Sequence, residues 1–281
     1  DLSSELRSTF GNYDFKDFEG AIEAQLVAEN LATRLAFPWT ERGPLAFNRC
    51  GNKVDAPGVR VCGEGAPTEI PSGLEQDVND LGNWAARGQL RYQPEALEMD
   101  WLLNVHGAKV DQLSTLGQAM GTSINSTTSS LGMFTQGNYQ EQDNRAMLTA
   151  FGGQGNSAAQ RQLAETLALD LDTHPFKGDY NRVGKTTLDT WGASLKGDWT
   201  LGPVTLTSVS GYEHYDRFRN MDQDFTPEVL FEQVAKDDAW QFFQELRVGG
   251  ELGELPVRWD GGGYYLKESL TWADTSFFGA F

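Results

Sequence analysis

The sequence predicts an all-β fold: an antiparallel transmembrane β-barrel present in part, about nine strands with short periplasmic turns and long extracellular loops. Three observations carry this. Apolar and polar residues alternate with period two in segment after segment, aromatic residues gather at the ends of those segments, and the connections between them alternate in length.

A weak first strand covers residues 6–15. Residues 20–27 set Ile22, Ala24 and Leu26 against Glu23 and Gln25, and residues 31–39 set Leu35, Phe37 and Trp39 against Arg34. A tight turn at Ala28, Glu29 and Asn30 joins them. Residues 84–93 place Trp84, Ala86, Gly88, Leu90 and Tyr92 opposite Arg87, Gln89 and Arg91, and residues 99–108 place Met99, Trp101, Leu103 and Val105 opposite Asp100, Asn104 and His106. Alternation is cleanest over 191–199, where Trp191, Ala193, Leu195, Gly197 and Trp199 oppose Ser194, Lys196 and Asp198. Residues 240–248 set Trp240, Phe242, Leu246 and Val248 against Gln241, Glu245 and Arg247. Segments 204–215 and 257–267 read as strands from β-propensity and flanking turns.

Short connections at 28–30, 94–98, 200–203 and 252–256 alternate with a moderate one near 220–237 and two long ones. That asymmetry is the layout of an outer-membrane barrel, and a β-sandwich has no reason to adopt it. Residues 1–281 are therefore expected to form the N-terminal part of a barrel domain, with 48–83 and 109–189 as long extracellular loops. Residues 112–140 carry no charge and are rich in Ser, Thr, Gly, Asn and Gln, whereas Leu163, Leu167 and Leu171 predict a short amphipathic helix over 158–171.

Composition sets the excluded classes. A formal net charge of −18 repels a phosphate backbone, so nucleic acid is no partner. No stretch approaches the roughly 18 to 20 apolar residues of a membrane helix, but a barrel wall uses only every second residue and needs no such stretch. On that wall Glu23, Gln25, Arg34, Arg87, Gln89, Arg91, Asp100, Gln241, Glu245 and Arg247 are expected to face the lumen, where water and one another can satisfy them. Trp39, Trp84, Tyr92, Trp101, Trp191, Trp199 and Trp240 fall on the other face, mostly near strand ends, as aromatic girdles at the two surfaces of outer-membrane lipid.

Cys50 and Cys62 flank a Gly- and Pro-containing segment and are expected to close a small loop by a disulfide, with two free thiols as the alternative. With no CxxC spacing and only three His, no metal ligand set is expected. The run from Gly178 to Gly184, Lys185 and Thr186 has five intervening residues where a phosphate loop needs four. The acidic pairs Asp222 and Asp224, and Asp237 and Asp238, read as solvated loop charge, and no catalytic residue or cofactor is expected. Two other readings stay open at this point: a secreted soluble β-sandwich that binds glycans through its Trp residues, and an acidic glycosidase.

Four stretches resemble the TonB-dependent outer-membrane receptors. They are Glu19-Gly20-Ala21-Ile22 followed by Leu31-Ala32-Thr33-Arg34-Leu35; Arg87-Gly88-Gln89-Leu90-Arg91-Tyr92-Gln93-Pro94; Leu206-Thr207-Ser208-Val209-Ser210-Gly211-Tyr212; and Gln244-Glu245-Leu246-Arg247-Val248, with Trp259 and Gly263-Tyr264-Tyr265 after it. The resemblance implies a bacterial outer-membrane receptor without enzymatic activity. Such a receptor imports a scarce solute, an iron chelate, cobalamin or a glycan, with energy passed from the TonB complex. It further implies a barrel of about 22 strands filled by an N-terminal plug. No segment here matches a plug or TonB box, so the chain is expected to be a piece of a longer protein. Ligand contacts are then expected on the plug and on loops 48–83 and 109–189.

Overall fold

The computed structural model describes residues 2–28, 30–51, 73–94, 97–117, 176–225, 231–253 and 257–278. In chain order its strands are β1 (Leu2–Gly11), β2 (Phe15–Val27), β3 (Leu31–Arg42), β4 (Ala46–Asn48), β5 (Asp77–Val78), β6 (Leu81–Tyr92), β7 (Met99–Leu113), β8 (Lys177–Gly178), β9 (Lys185–Leu201), β10 (Val204–Asp222), β11 (Phe231–Glu251) and β12 (Arg258–Phe278). The nine long ones pair antiparallel in chain order, β1-β2-β3-β6-β7-β9-β10-β11-β12, into one sheet. Its two edges, β1 and β12, do not meet, so the structure shows an all-β sheet of the barrel kind and not a closed barrel. The short β5, β4 and β8 form a second sheet, in which β4 pairs antiparallel with β5 and parallel with β8.

Alternation in the sequence becomes two chemically different faces because directly opposed residues share a side of the sheet. One row runs Arg34↔Gln89↔Asn104↔Ser194↔Gly211, and the other side carries Ile22↔Leu35↔Gly88↔Val105↔Ala193↔Tyr212↔Phe242. The short turns after β2, β6, β9 and β11 lie at one end of the strands. Between β9 and β10 the turn is Gly202 and Pro203, and Gly202 takes φ +65°, a left-handed conformation that a side chain would strain.

The strands depart from the expected bounds at the other end. The first turn sits at 12–14, where Tyr13 and Asp14 both adopt positive φ of 61° and 54°, so β1 stops at Gly11 and Phe15 already belongs to β2. The turn formers Gly11, Asn12 and Asp14 mark this site in the sequence, inside the strand expected over 6–15. β7 continues to Leu113 and β9 opens at Lys185, so the longest connection runs over 114–184 rather than 109–189; the other runs over 43–80 rather than 48–83. β10, β11 and β12 likewise extend well past Tyr215, Trp240 and Lys267 toward this end. The helix expected over 158–171 lies outside the described residues.

Among the described residues the larger buried cluster resembles a globular core. Val78, Leu116, Tyr180 and Val183 are buried together, with Ala46, Leu113 and Phe225 packed against them, where the long connections leave the sheet. Close backbone approach also tightens that end: a Cβ added at Gly82 would lie 2.6 Å from the Asp111 carbonyl oxygen on β7. We expect Gly82→Ala to push β6 and β7 apart and cost about 1–3 kcal/mol, read as a lower urea midpoint for unfolding in detergent.

Candidate functional site

The ten polar residues singled out in the sequence all fall on one face. Glu23 and Gln25 stand on β2, Arg34 on β3, Arg87, Gln89 and Arg91 on β6, Asp100 on β7, and Gln241, Glu245 and Arg247 on β11. Several neutralise one another. Arg34 pairs with Glu23, its cross-strand partner, and its other nitrogen lies 4.0 Å from Glu5. Arg91 makes a fork onto Asp100, Nε to Oδ1 at 3.0 Å and Nη2 to Oδ2 at 2.6 Å, and Arg247 Nε lies 2.9 Å from Glu245 Oε1. Arg87, Gln89 and Gln241 share the face without an ion pair. Asn104 donates to His106 Nδ1 at 3.2 Å, which leaves His106 Nε2 to donate to Glu213 Oε2 at 3.0 Å. Gly192 lies beneath that carboxylate, in space that a Cβ would take.

The seven aromatic residues occupy the opposite face in two belts. Tyr92, Trp101 and Trp199 lie toward the short turns, with Trp101 and Trp199 edge to face at 4.7 Å. Trp39, Trp84, Trp191 and Trp240 lie toward the long connections. There Trp191 packs on Tyr212 at 5.1 Å, Tyr212 stacks on Trp240 at 6.3 Å, and Lys267 Nζ sits 5.7 Å from the Trp240 ring centre. Eight residues separate Trp191 from Trp199, about 26 Å along a strand. A tilt of about 40° reduces this to about 20 Å, close to the apolar band of about 25 Å on membrane barrels.

Above the second belt, the bases of the connections are joined. Asn48, at the end of β4, is fully buried and uses its whole amide: Oδ1 accepts from the N–H groups of Cys50 and Tyr180, both at 3.0 Å, while Nδ2 donates to the Glu75 and Tyr180 carbonyls, both at 3.2 Å. Arg49 forks onto the buried Asp179, with Nε to Oδ1 at 2.7 Å. The Tyr180 hydroxyl donates to the Gly117 carbonyl at 2.9 Å. Arg182 pairs with Glu232 and donates to Asn220 Oδ1 at 2.8 Å, and Asn181 donates to Glu232 Oε1 at 2.9 Å, so the β10–β11 connection joins the same body. Cys50 is buried and disulfide-bonded; Cys62 lies outside the described residues.

Two of the four aspartates read as solvated charge are buried. Asp222 is fully enclosed, and its Oδ1 accepts from the N–H groups of Asp224 and Phe225 at 2.9 Å each. Asp237, 3% exposed, pairs with Arg217 across the strands. The two carboxylates lie on opposite faces of the β10–β11 hairpin and cannot flank one substrate. Asn48, Asp179 and Tyr180 were invisible to pattern reading because β4 and β8 are only three and two residues long. Among the described residues no group of three or more His, Cys, Asp or Glu is placed to hold a metal ion, and no helix is long and apolar enough to cross a membrane.

No family model and no curated protein matches the chain. Among solved structures it is similar to the ferric yersiniabactin uptake receptor FyuA from Yersinia pestis, with a TM-score of 0.59 and 10% identity, over 99% of this chain and 32% of that one. At that identity the likeness is one of fold. The chain spans about a third of the receptor's length.

Two expectations follow from the joined bases. Asn48→Ala removes four hydrogen bonds and should cost about 2–4 kcal/mol of local stability, read as faster amide exchange at Cys50 and Tyr180 with exchange in β9 unchanged. Burial, with the Asp222 and Asp179 carboxylates nearby, pushes the Tyr180 hydroxyl up to about 12, from an ordinary value of about 10. The fold thus favours the neutral phenol, whose contribution is complete below pH about 10 and lost as pH rises through about 12. An absorbance titration of tyrosinate should show a late component that Tyr180→Phe removes.

Proposed function

We propose that the chain is the N-terminal part of the β-barrel domain of a receptor in the bacterial outer membrane, one that takes up a scarce solute and does no covalent chemistry on it. The observation that carries this reading is the two-faced sheet, with its apolar side bounded by two aromatic belts at about the spacing of a bilayer's apolar band. Lipid would cover that side, and the ten polar residues would face a lumen. Residues 43–80 and 114–184 would form the long connections on the outer surface, where an incoming solute arrives first. The fold likeness to the ferric yersiniabactin uptake receptor supports the barrel part of this reading; the proposal further takes the protein to be coupled to TonB through a plug supplied elsewhere in it, with an iron chelate, cobalamin or a glycan as cargo.

Cell fractionation tests this reading. Antibody raised against residues 48–83 should find the protein in the outer-membrane fraction, at a mass well above 31.1 kDa if the chain is part of a larger receptor. A soluble band near 31.1 kDa would replace the barrel with the secreted sandwich. Leu90→Arg or Leu195→Arg, both on the apolar face, should reduce assembled protein in that fraction, because a lipid-facing Arg costs roughly 2–4 kcal/mol near mid-bilayer. Normal assembly of both variants would sink the proposed orientation.

A further inference from the structure

The joined bases of the connections enclose a carboxyl with no cation on it. Asp222 closes β10 directly opposite Glu232, well beyond the Trp191–Trp240 belt. The two side chains share the side of the hairpin from which Asn181 and Arg182 reach Glu232, and both are buried, Asp222 completely. Asp222 Oδ1 accepts from the Asp224 and Phe225 N–H groups, each at 2.9 Å, while Oδ2 is buried with no hydrogen-bond partner. Asp224 Oδ2 in turn accepts from the Phe231 N–H at 2.7 Å, which keeps that carboxylate in the same turn. Phe225 carries the turn onto the small core of Val78, Leu116, Tyr180 and Val183.

Acids and bases around Asp222 are unevenly matched. From β11 it faces Glu232, from its own turn Asp224, and from the segment after β8 Asp179 and Tyr180. Both guanidiniums of this body are taken, Arg182 by Glu232 and Arg49 by Asp179. Among the described residues no Lys, Arg or His pairs with Asp222. An ionised carboxylate sealed in this place carries two costs, an oxygen without a donor and like charges facing it. A neutral acid escapes the second cost and most of the first. Burial, then the Asp224 and Glu232 carboxylates, push the Asp222 carboxyl up to about 9, although its two amide donors pull the other way.

We propose that Asp222 is a proton-operated latch: as a neutral acid it seals the β10–β11 turn onto the body formed by residues 48–49 and 179–182, and loss of its proton releases that turn. The closed form holds the proton more tightly than an opened, solvated form does. The latch is therefore fully engaged below the ordinary carboxyl value of about 3.9 and is lost progressively as pH rises through about 9. Acid tightens the bases of the connections, and alkali loosens them and draws Phe225 from the core. This goes beyond the uptake reading and does not rest on it, because the latch belongs to the hairpin itself.

Hydrogen exchange followed by mass spectrometry tests the latch on the protein purified at the full length the cell makes. On peptides covering 218–225, after correction for intrinsic exchange rates, the opening constant should rise about tenfold per pH unit between about pH 5 and pH 8, the slope of one proton released on opening. Peptides covering 193–198 in β9 should show no such slope. Asp222→Asn keeps the shape and cannot ionise, so it should remove the slope and lower the opening constant near neutral pH by about tenfold or more. Infrared difference spectra supply a direct readout. A protonated-carboxyl band present near neutral pH should vanish through about pH 9 and be missing from Asp222→Asn. A flat opening constant in the unaltered protein, an unchanged slope in folded Asp222→Asn, or no such band overturns the proposal. Should Asp222→Asn fail to fold, Asp224→Asn decides: with one facing charge gone the band should vanish at lower pH, and an unmoved midpoint overturns the latch.

Discussion

No described protein layer covers the apolar face of the nine-stranded sheet, and the rest of the structure is arranged around that exposure. Leu6 is 73% exposed, Leu35 54% and Trp191 52%, and they belong to a continuous surface rather than scattered positions. Soluble domains rarely leave more than a few hundred Å² of contiguous apolar surface uncovered. Each large side chain there forgoes roughly 1.5–3 kcal/mol that burial would return. An apolar solvent removes that deficit but imposes another demand, since every backbone N–H and C=O within it must be paired inside the protein. From β1 to β12 each neighbouring pair forms a ladder in unbroken strand order, while the outer edges of β1 and β12 stay unpaired among the described residues.

Where the strands rise past the Trp191–Trp240 belt, the two-faced pattern ends and a different kind of stability is needed. The small core of Val78, Leu116, Tyr180 and Val183 sits there, and so do most of the fully buried polar groups. Asn48 is the economical part of this arrangement: one amide satisfies two N–H groups and two carbonyls drawn from both long connections. The Arg49–Asp179 and Arg182–Glu232 pairs add charge neutrality in a chain whose excess of carboxylates would otherwise drive these segments apart.

Legibility in the sequence followed the same division. Between the belts, Trp191 to Trp199 and Trp84 to Tyr92 alternate because one side must be apolar and the other polar, so pattern alone placed strands and faces. Above them both sides meet water or loop, the period vanishes, and the upper turns of β9 to β12 went unseen. The Tyr13–Asp14 turn was marked by Gly11, Asn12 and Asp14, but the strand expected over 6–15 ran across it. Asp237 is buried through a partner across the ladder, Arg217, which local pattern does not place, and Asp222 through a local turn in which it accepts from the Asp224 and Phe225 amides. The joining of two long connections through β4 and β8 is a contact about 130 residues apart, of a kind that local pattern does not encode.

The β10–β11 hairpin is the element on which these regions converge. Its outer turn residues hold the connection bases through Asn220, Asp222 and Glu232, while Arg217, Arg219 and Asp237 present charge on the opposite side of the same two strands. A register slip of one residue would exchange those two sets, placing Glu232 where Gln233 stands and breaking both the Arg182–Glu232 and Arg217–Asp237 pairs. The two ion pairs therefore fix one another's geometry through the backbone they share. Each pair holds the register that the other needs, which ties the bases of the connections to the charged face of the same hairpin.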